Sequence, residues 1–174
     1  MSYWMPPPRA VKRKVFISYH HRGDQGWFDY FTGLFGGIYE IFYDQSLNGR
    51  VRSDDAEYVN RRIREDYIVG SSVTIVLCGA ETWKRKYVDW EIYSTLHHKH
   101  ALLGIALPTA VRNYQDEIAV PDRLLANWRT GYAHWMCWTQ DPAALQRAVE
   151  AAVQRSRSTT LIDNSLPKMT RNRP

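Results

Sequence analysis

Cysteine is almost missing from this 174-residue chain: Cys78 and Cys137 are the only two. Each lies inside or at the end of an apolar run, which excludes a disulfide framework and leads us to expect two buried free thiols. Long apolar runs are missing too. No stretch approaches the roughly 18 residues of a membrane-spanning helix. The first residues carry Arg9, Lys12, Arg13 and Lys14, but Tyr3-Trp-Met-Pro-Pro-Pro8 is no secretory-signal core, so a cytoplasmic location is expected. A concentrated basic surface is also lacking, although the net charge is +5 and the pI about 9.3. Arg61, Arg62 and Arg64, Lys84-Arg-Lys86, and Lys168, Arg171 and Arg173 are dispersed among acidic residues. That spread argues against a dedicated nucleic-acid surface and suits a solvated face or a phosphate-bearing small ligand.

Several chemistries fail for want of residues. There is no G-x-x-x-x-G-K-[ST] run to cradle phosphates, no G-x-G-x-x-G after a strand, and no G-x-S-x-G nucleophile elbow. Phosphoacceptor chemistry would need an acidic cluster after the first strand, where the chain reads Ser18-Tyr-His20. His20-His21 and His97, His98 and His100 lack acidic partners at ligand spacing, so no metal is expected. The second group reads as cations at a helix C-terminus.

What is present alternates strand and helix. Val15-Phe-Ile-Ser18 is a first strand; a helix with Trp27, Phe28, Phe31 and Leu34-Phe35 follows, with Asp24 as its candidate N-cap and Gly36-Gly37 at its end. Ile38 to Tyr43 is a second strand. A turn-containing loop runs from Asp44 to Ser53, and a helix from Asp54-Asp55 carries the i,i+4 pair Glu57–Arg61. Val73-Thr-Ile-Val-Leu77, a helix from about Lys86 to Lys99, and Leu102 to Leu107 make a βαβ unit, whose strands should be parallel. An irregular connection with a short helix at Pro121–Ala126 leads to a fifth strand at Ala133–Trp138. A last helix, Ala143 to Arg155, opens at Asp141-Pro142. The expectation is an α/β fold: a three-layer α/β/α sandwich, flavodoxin-like, with a five-stranded parallel sheet in the order 2-1-3-4-5. Residues 1–13 read as a flexible lead-in, 14–155 as one domain and 156–174 as a polar tail.

In that order the switch point lies between strands one and three, so the loops after Ser18 and Leu77 flank the crevice and Asp44 stands close by. Glu91, early in the helix that follows, presents a carboxylate there. Trp83, Tyr87, Trp90, Tyr19 and Tyr43 are its aromatic neighbours. From composition alone, Glu91 reads first as a solvated helix residue.

Val15-Phe-Ile-Ser-Tyr19, Ile41-Phe-Tyr-Asp44, Ser72 to Leu77 and Tyr87-Val-Asp-Trp-Glu-Ile92 together resemble the ordered motifs of TIR domains. The likeness runs from about Lys14 to Leu107 and more loosely to Ala152. The wording around Tyr19-His-His21, Asp54-Asp55, Arg64-Glu-Asp-Tyr67 and Trp83-Lys-Arg-Lys86 is most similar to the TIR-like proteins of Thoeris antiphage defence, the ThsB type. The resemblance implies an NAD⁺ nucleosidase or ADP-ribosyl cyclase, with NAD⁺ as substrate and no cofactor. Glu91 would be the catalytic carboxylate. Tyr19 and Tyr87 are candidates to stack on a base, with packing as the alternative; Ser18 and His20 are candidates to meet the ribose or phosphates. Asp44 is a candidate to contact the nicotinamide ribose, although capping the next loop is the first reading for it. It also implies a product sensed by a separate effector protein, TIR self-association and a phage-derived trigger. A non-catalytic TIR-like interaction module is the alternative. Tyr87 stands four residues before the glutamate, where many TIR NAD hydrolases carry tryptophan.

Overall fold

The apolar runs become the strands. The computed structural model describes residues 11–43, 62 and 65–174. In chain order its elements are β1 (Arg13–Ser18), α1 (His21–Phe35), β2 (Tyr39–Tyr43), β3 (Val73–Cys78), a 3₁₀ turn (Thr82–Lys84) and α2 (Lys86–His97). After these come β4 (Ala101–Ala106), α3 (Asp122–Arg129), β5 (His134–Cys137), α4 (Pro142–Ser156) and a second 3₁₀ turn (Thr159–Leu161). The sheet has the order β2-β1-β3-β4-β5, and every pairing is parallel. It is the doubly wound arrangement expected, with the switch point between β1 and β3.

Period-two alternation divides the strands between two cores. Val15, Ile17, Ile75, Leu103 and Ile105 face Phe28, Phe31 and Phe35 of α1 and Leu145, Val149 and Ala152 of α4. Val76, Cys78 and Leu102 face Val88, Ile92 and Leu96 of α2 and Leu124 of α3. β3 and β4 are buried along their whole length, as strands covered on both faces must be. Gly104 permits one of those coverings, because a Cβ there would lie 2.4 Å from the Trp135 ring.

Several local expectations need correction. α1 begins at His21, with His20 at the N-cap position, so Asp24 is not the cap: it lies in the first turn and is buried. Asp141 does cap α4, accepting from the Ala143 N–H at 2.9 Å, with Pro142 as first helical residue. Cys78 is buried, but Cys137 is exposed, at the end of the edge strand β5. His97 occupies the last turn of α2 and His98 its C-cap. His100 is half-buried and, because of burial first and His98 second, titrates below the usual histidine range, so it is no helix-end cation.

Of residues 156–174, expected to be a polar tail, Ser156 ends α4 and residues 157–174 follow a course over α2 and α3, held by polar bonds that apolar patterning does not reveal. Asp44, the loop to Ser53, the helix start at Asp54 with Glu57–Arg61, and residues 1–10 lie outside the described residues; residues 65–70 are helical. Among the described residues no helix is long and apolar enough to cross a membrane.

Candidate active site

β1 ends at Ser18, and α2 begins beyond the carboxyl end of β3, at the same rim of the sheet. Sheet register therefore brings together two residues 73 positions apart: the Ser18 hydroxyl donates to Glu91 Oε2 at 2.5 Å, and both residues are buried. Glu91 sits in the second turn of α2, facing the sheet. One turn further on, Thr95 Oγ1 donates to the Glu91 carbonyl at 2.8 Å and meets Thr74 Oγ1 of β3 at 2.7 Å, which fixes the helix against the strand at the position of the carboxylate.

A second buried carboxylate, Asp24, lies in the first turn of α1. Asp24 accepts from Thr82 Oγ1 at 3.0 Å, and the Gly79 N–H donates to that same hydroxyl oxygen at 2.9 Å. Burial pushes the Asp24 carboxyl above its ordinary range, and the Thr82 bond acts in the opposite direction. A Cβ on Gly79 would come within 2.1 Å of Asp24 Oδ1, so the loop after β3 needs glycine here to approach α1.

The other sequence candidates divide. Tyr19 is buried, its ring stacked between His21 at 4.2 Å and Phe28 at 4.5 Å, and its hydroxyl donates to Gln25 at 2.9 Å. Both ring faces are thus occupied by the protein's own side chains. His20 lies half-buried over Gly23; burial, then the Arg85 charge, lowers its pKa below the usual histidine range. The Tyr87 ring meets Trp90 edge-on at 5.6 Å, with Lys86 Nζ over both rings. Trp90 donates its indole N–H to the Met169 carbonyl at 2.7 Å. Tyr43 packs on Phe28. Asp44 lies outside the described residues.

Sequence reasoning missed Asp24 as a buried carboxylate, having read it as a cap, and missed the pair Asp89–Arg123. The latter lies 34 residues apart, and no local spacing signals it. Among the described residues no cluster of three or more His, Cys, Asp and Glu could hold a metal ion.

A five-stranded parallel sheet in the order β2-β1-β3-β4-β5 matches a flavodoxin- or TIR-like fold. The family model for the Thoeris protein ThsB, TIR-like domain, matches residues 16–112, more than half of the chain, and the chain belongs to that family. It is a class that generally has NAD⁺-cleaving or cyclase activity. Among solved structures the chain is similar to a 2-deoxyribosyltransferase from the psychrotolerant bacterium Bacillus psychrosaccharolyticus. The identity is 12% and the TM-score 0.52, over 76% of this chain and 95% of that one. It is also similar to the TIR domains of the activated Roq1 resistosome directly recognizing the pathogen effector XopQ, at 14% identity and a TM-score of 0.41 over 88% and 93%. No curated protein matches.

Proposed function

We propose that this chain cleaves the bond between nicotinamide and ribose in NAD⁺ and releases a linear or cyclic ADP-ribose signal, with Glu91 as its catalytic carboxylate. The buried Ser18–Glu91 contact at the carboxyl rim carries the reading.

The chemistry asks little of the protein. When the C1′–N bond breaks, its electron pair moves onto the pyridinium nitrogen and neutralises it, so the leaving group needs no acid. The positive charge passes to the ribose as an oxocarbenium-like centre. A carboxylate already held in place stabilises that centre without reorganising as the charge forms. The Ser18 hydroxyl, donating to Glu91 Oε2, orients that carboxylate at the rim. Water then forms the C1′–O bond and gives up a proton to solvent, yielding ADP-ribose. Where water is kept out, a nucleophile of the same molecule closes a ring instead. Tyr87 and His20 are the substrate-contacting candidates, and Asp44 keeps its proposed role at the ribose. Tyr19 would stack on a base only if His21 moved aside.

A separate effector protein senses the product, and self-association and a phage-derived trigger switch synthesis on. Membership of the Thoeris family supports these partner proposals. Mass spectrometry of small molecules, from the purified chain with NAD⁺ and from phage-infected cells expressing it, tests the proposal. Nicotinamide should appear with an equimolar linear or cyclic ADP-ribose. NAD⁺ left intact in both would favour a non-catalytic interaction module.

A further inference from the structure

We propose that residues 157–174 form a polar strap that caps and positions α2, with Asn172 and Arg123 as positioning residues for the reaction at Glu91. The inference rests on the enzymatic reading above.

α2 has no side-chain cap of its own: Arg85, at its N-cap position, makes no capping bond. A helix start leaves N–H groups without intrahelical partners, and here the cap comes from far along the chain. The Lys86 N–H donates to Asn172 Oδ1 at 2.9 Å, across 86 residues. One turn on, the Met169 N–H donates to Asp89 Oδ2 at 2.9 Å and the Trp90 indole to the Met169 carbonyl. Further along, Asn164 donates to the Tyr93 carbonyl at 3.2 Å. Residues 86, 89, 90 and 93 form one stripe of the helix, whereas Glu91 projects from the opposite side toward β1. The helix is thus clamped between the strap outside and the sheet inside.

Arg123 of α3 joins these parts. It is fully buried, and each of its five N–H groups finds an acceptor. Nε and one terminal nitrogen donate to Asp89 at 2.8 and 3.3 Å. The rest reach Asn164 Oδ1 at 2.9 Å, the Leu166 carbonyl at 2.9 Å and the Pro167 carbonyl at 3.1 Å. Two of these acceptors belong to the helix that carries Glu91 and three to the strap. Lysine, with three donors on a flexible stem, cannot replace that fork. The far end is tied by the Arg173 N–H to the Lys84 carbonyl at 2.9 Å and by the Arg173–Asp122 ion pair. The family match ends at residue 112, so it covers neither Arg123 nor the strap.

The test uses the full chain with Asn172→Ala, an exposed position, and with Arg123→Lys. Hydrogen exchange is followed by peptide in α2 and in residues 157–174, beside kcat and KM for nicotinamide release. Asn172→Ala should speed exchange in the first turn of α2 about five-fold, the equivalent of about 1 kcal/mol for a lost helix cap. It should lower kcat about three-fold or more while KM stays within about two-fold. Arg123→Lys should loosen strap and helix together, with a larger loss of kcat. Faster exchange in the strap with α2 exchange and kcat unchanged would overturn the proposal. If Arg123→Lys does not fold, Asn172→Ala decides. If the wild-type chain releases no nicotinamide either purified or in phage-infected cells, the enzymatic reading fails separately, and α2 exchange alone judges the strap.

Discussion

Thr74 of β3 and Thr95 of α2 share a buried hydrogen bond of 2.7 Å one helical turn beyond Glu91. Because the Thr95 proton goes to the Glu91 carbonyl at 2.8 Å, the bond between the two threonines is donated by Thr74. Helix and sheet are therefore joined twice in succession, once through Glu91 itself and once through this pair. Thr95→Val strands the Thr74 hydroxyl in the core and should cost about 1–3 kcal/mol. Thr74→Val with Thr95→Val removes both partners and should cost less than the two single changes summed. Urea denaturation of the four-protein cycle measures the coupling.

Gly79 and Gly33 predict opposite outcomes for the same substitution. At Gly79 the added methyl meets the buried Asp24 carboxylate, which cannot withdraw without losing Thr82, so Gly79→Ala should destabilise by about 1–3 kcal/mol. At Gly33, exposed in α1, a Cβ meets nothing within 4 Å. Gly33→Ala should stabilise by about 0.5–1 kcal/mol through helix propensity. Thermal melts of both variants beside wild type distinguish the two.

His20, His100 and His134 all have pKa values lowered from 6.5, burial being the first cause for each. In the window just below 6.5 the unfolded chain therefore binds more protons than the folded one. Stability rises with pH through that window and is lost as pH falls through it. Replacing all three by glutamine should flatten the dependence between about pH 7 and 5. Denaturation midpoints across that range would show the change in slope.

Ser18 should matter to rate more than to binding. Ser18→Ala deletes a charge-assisted hydrogen bond to the carboxylate, of about 1.5–3 kcal/mol, and should lower kcat about ten-fold or more with a smaller effect on KM. Steady-state nicotinamide release across NAD⁺ concentrations separates the two constants.

The sheet order was legible because the strands announce themselves. Val73–Leu77 and Leu102–Leu107 are apolar throughout, and the helical patterns between strands leave few topologies open. Glu91 was legible by its place after the third strand, and Ser18 by its place at the end of the first. Their mutual contact was not, since it depends on how far the helix start rolls over the rim. The polar parts were hidden for a common reason. Asp24, Asp89, Arg123 and Asn172 are satisfied by partners distant in sequence, and hydrophobic periodicity carries no information about such pairs. A segment that docks through backbone carbonyls and asparagines has the composition of a tail.

The central claim is most directly tested by the rate of nicotinamide release from NAD⁺ by Glu91→Gln beside wild type, under conditions in which wild type turns over. The amide keeps the size of the side chain and can still accept from Ser18, but it lacks the negative charge. The rate should fall by about 10²–10³ or more with the fold intact. Equal rates for the two proteins would contradict the assignment of Glu91 as the group that stabilises the departing sugar's charge.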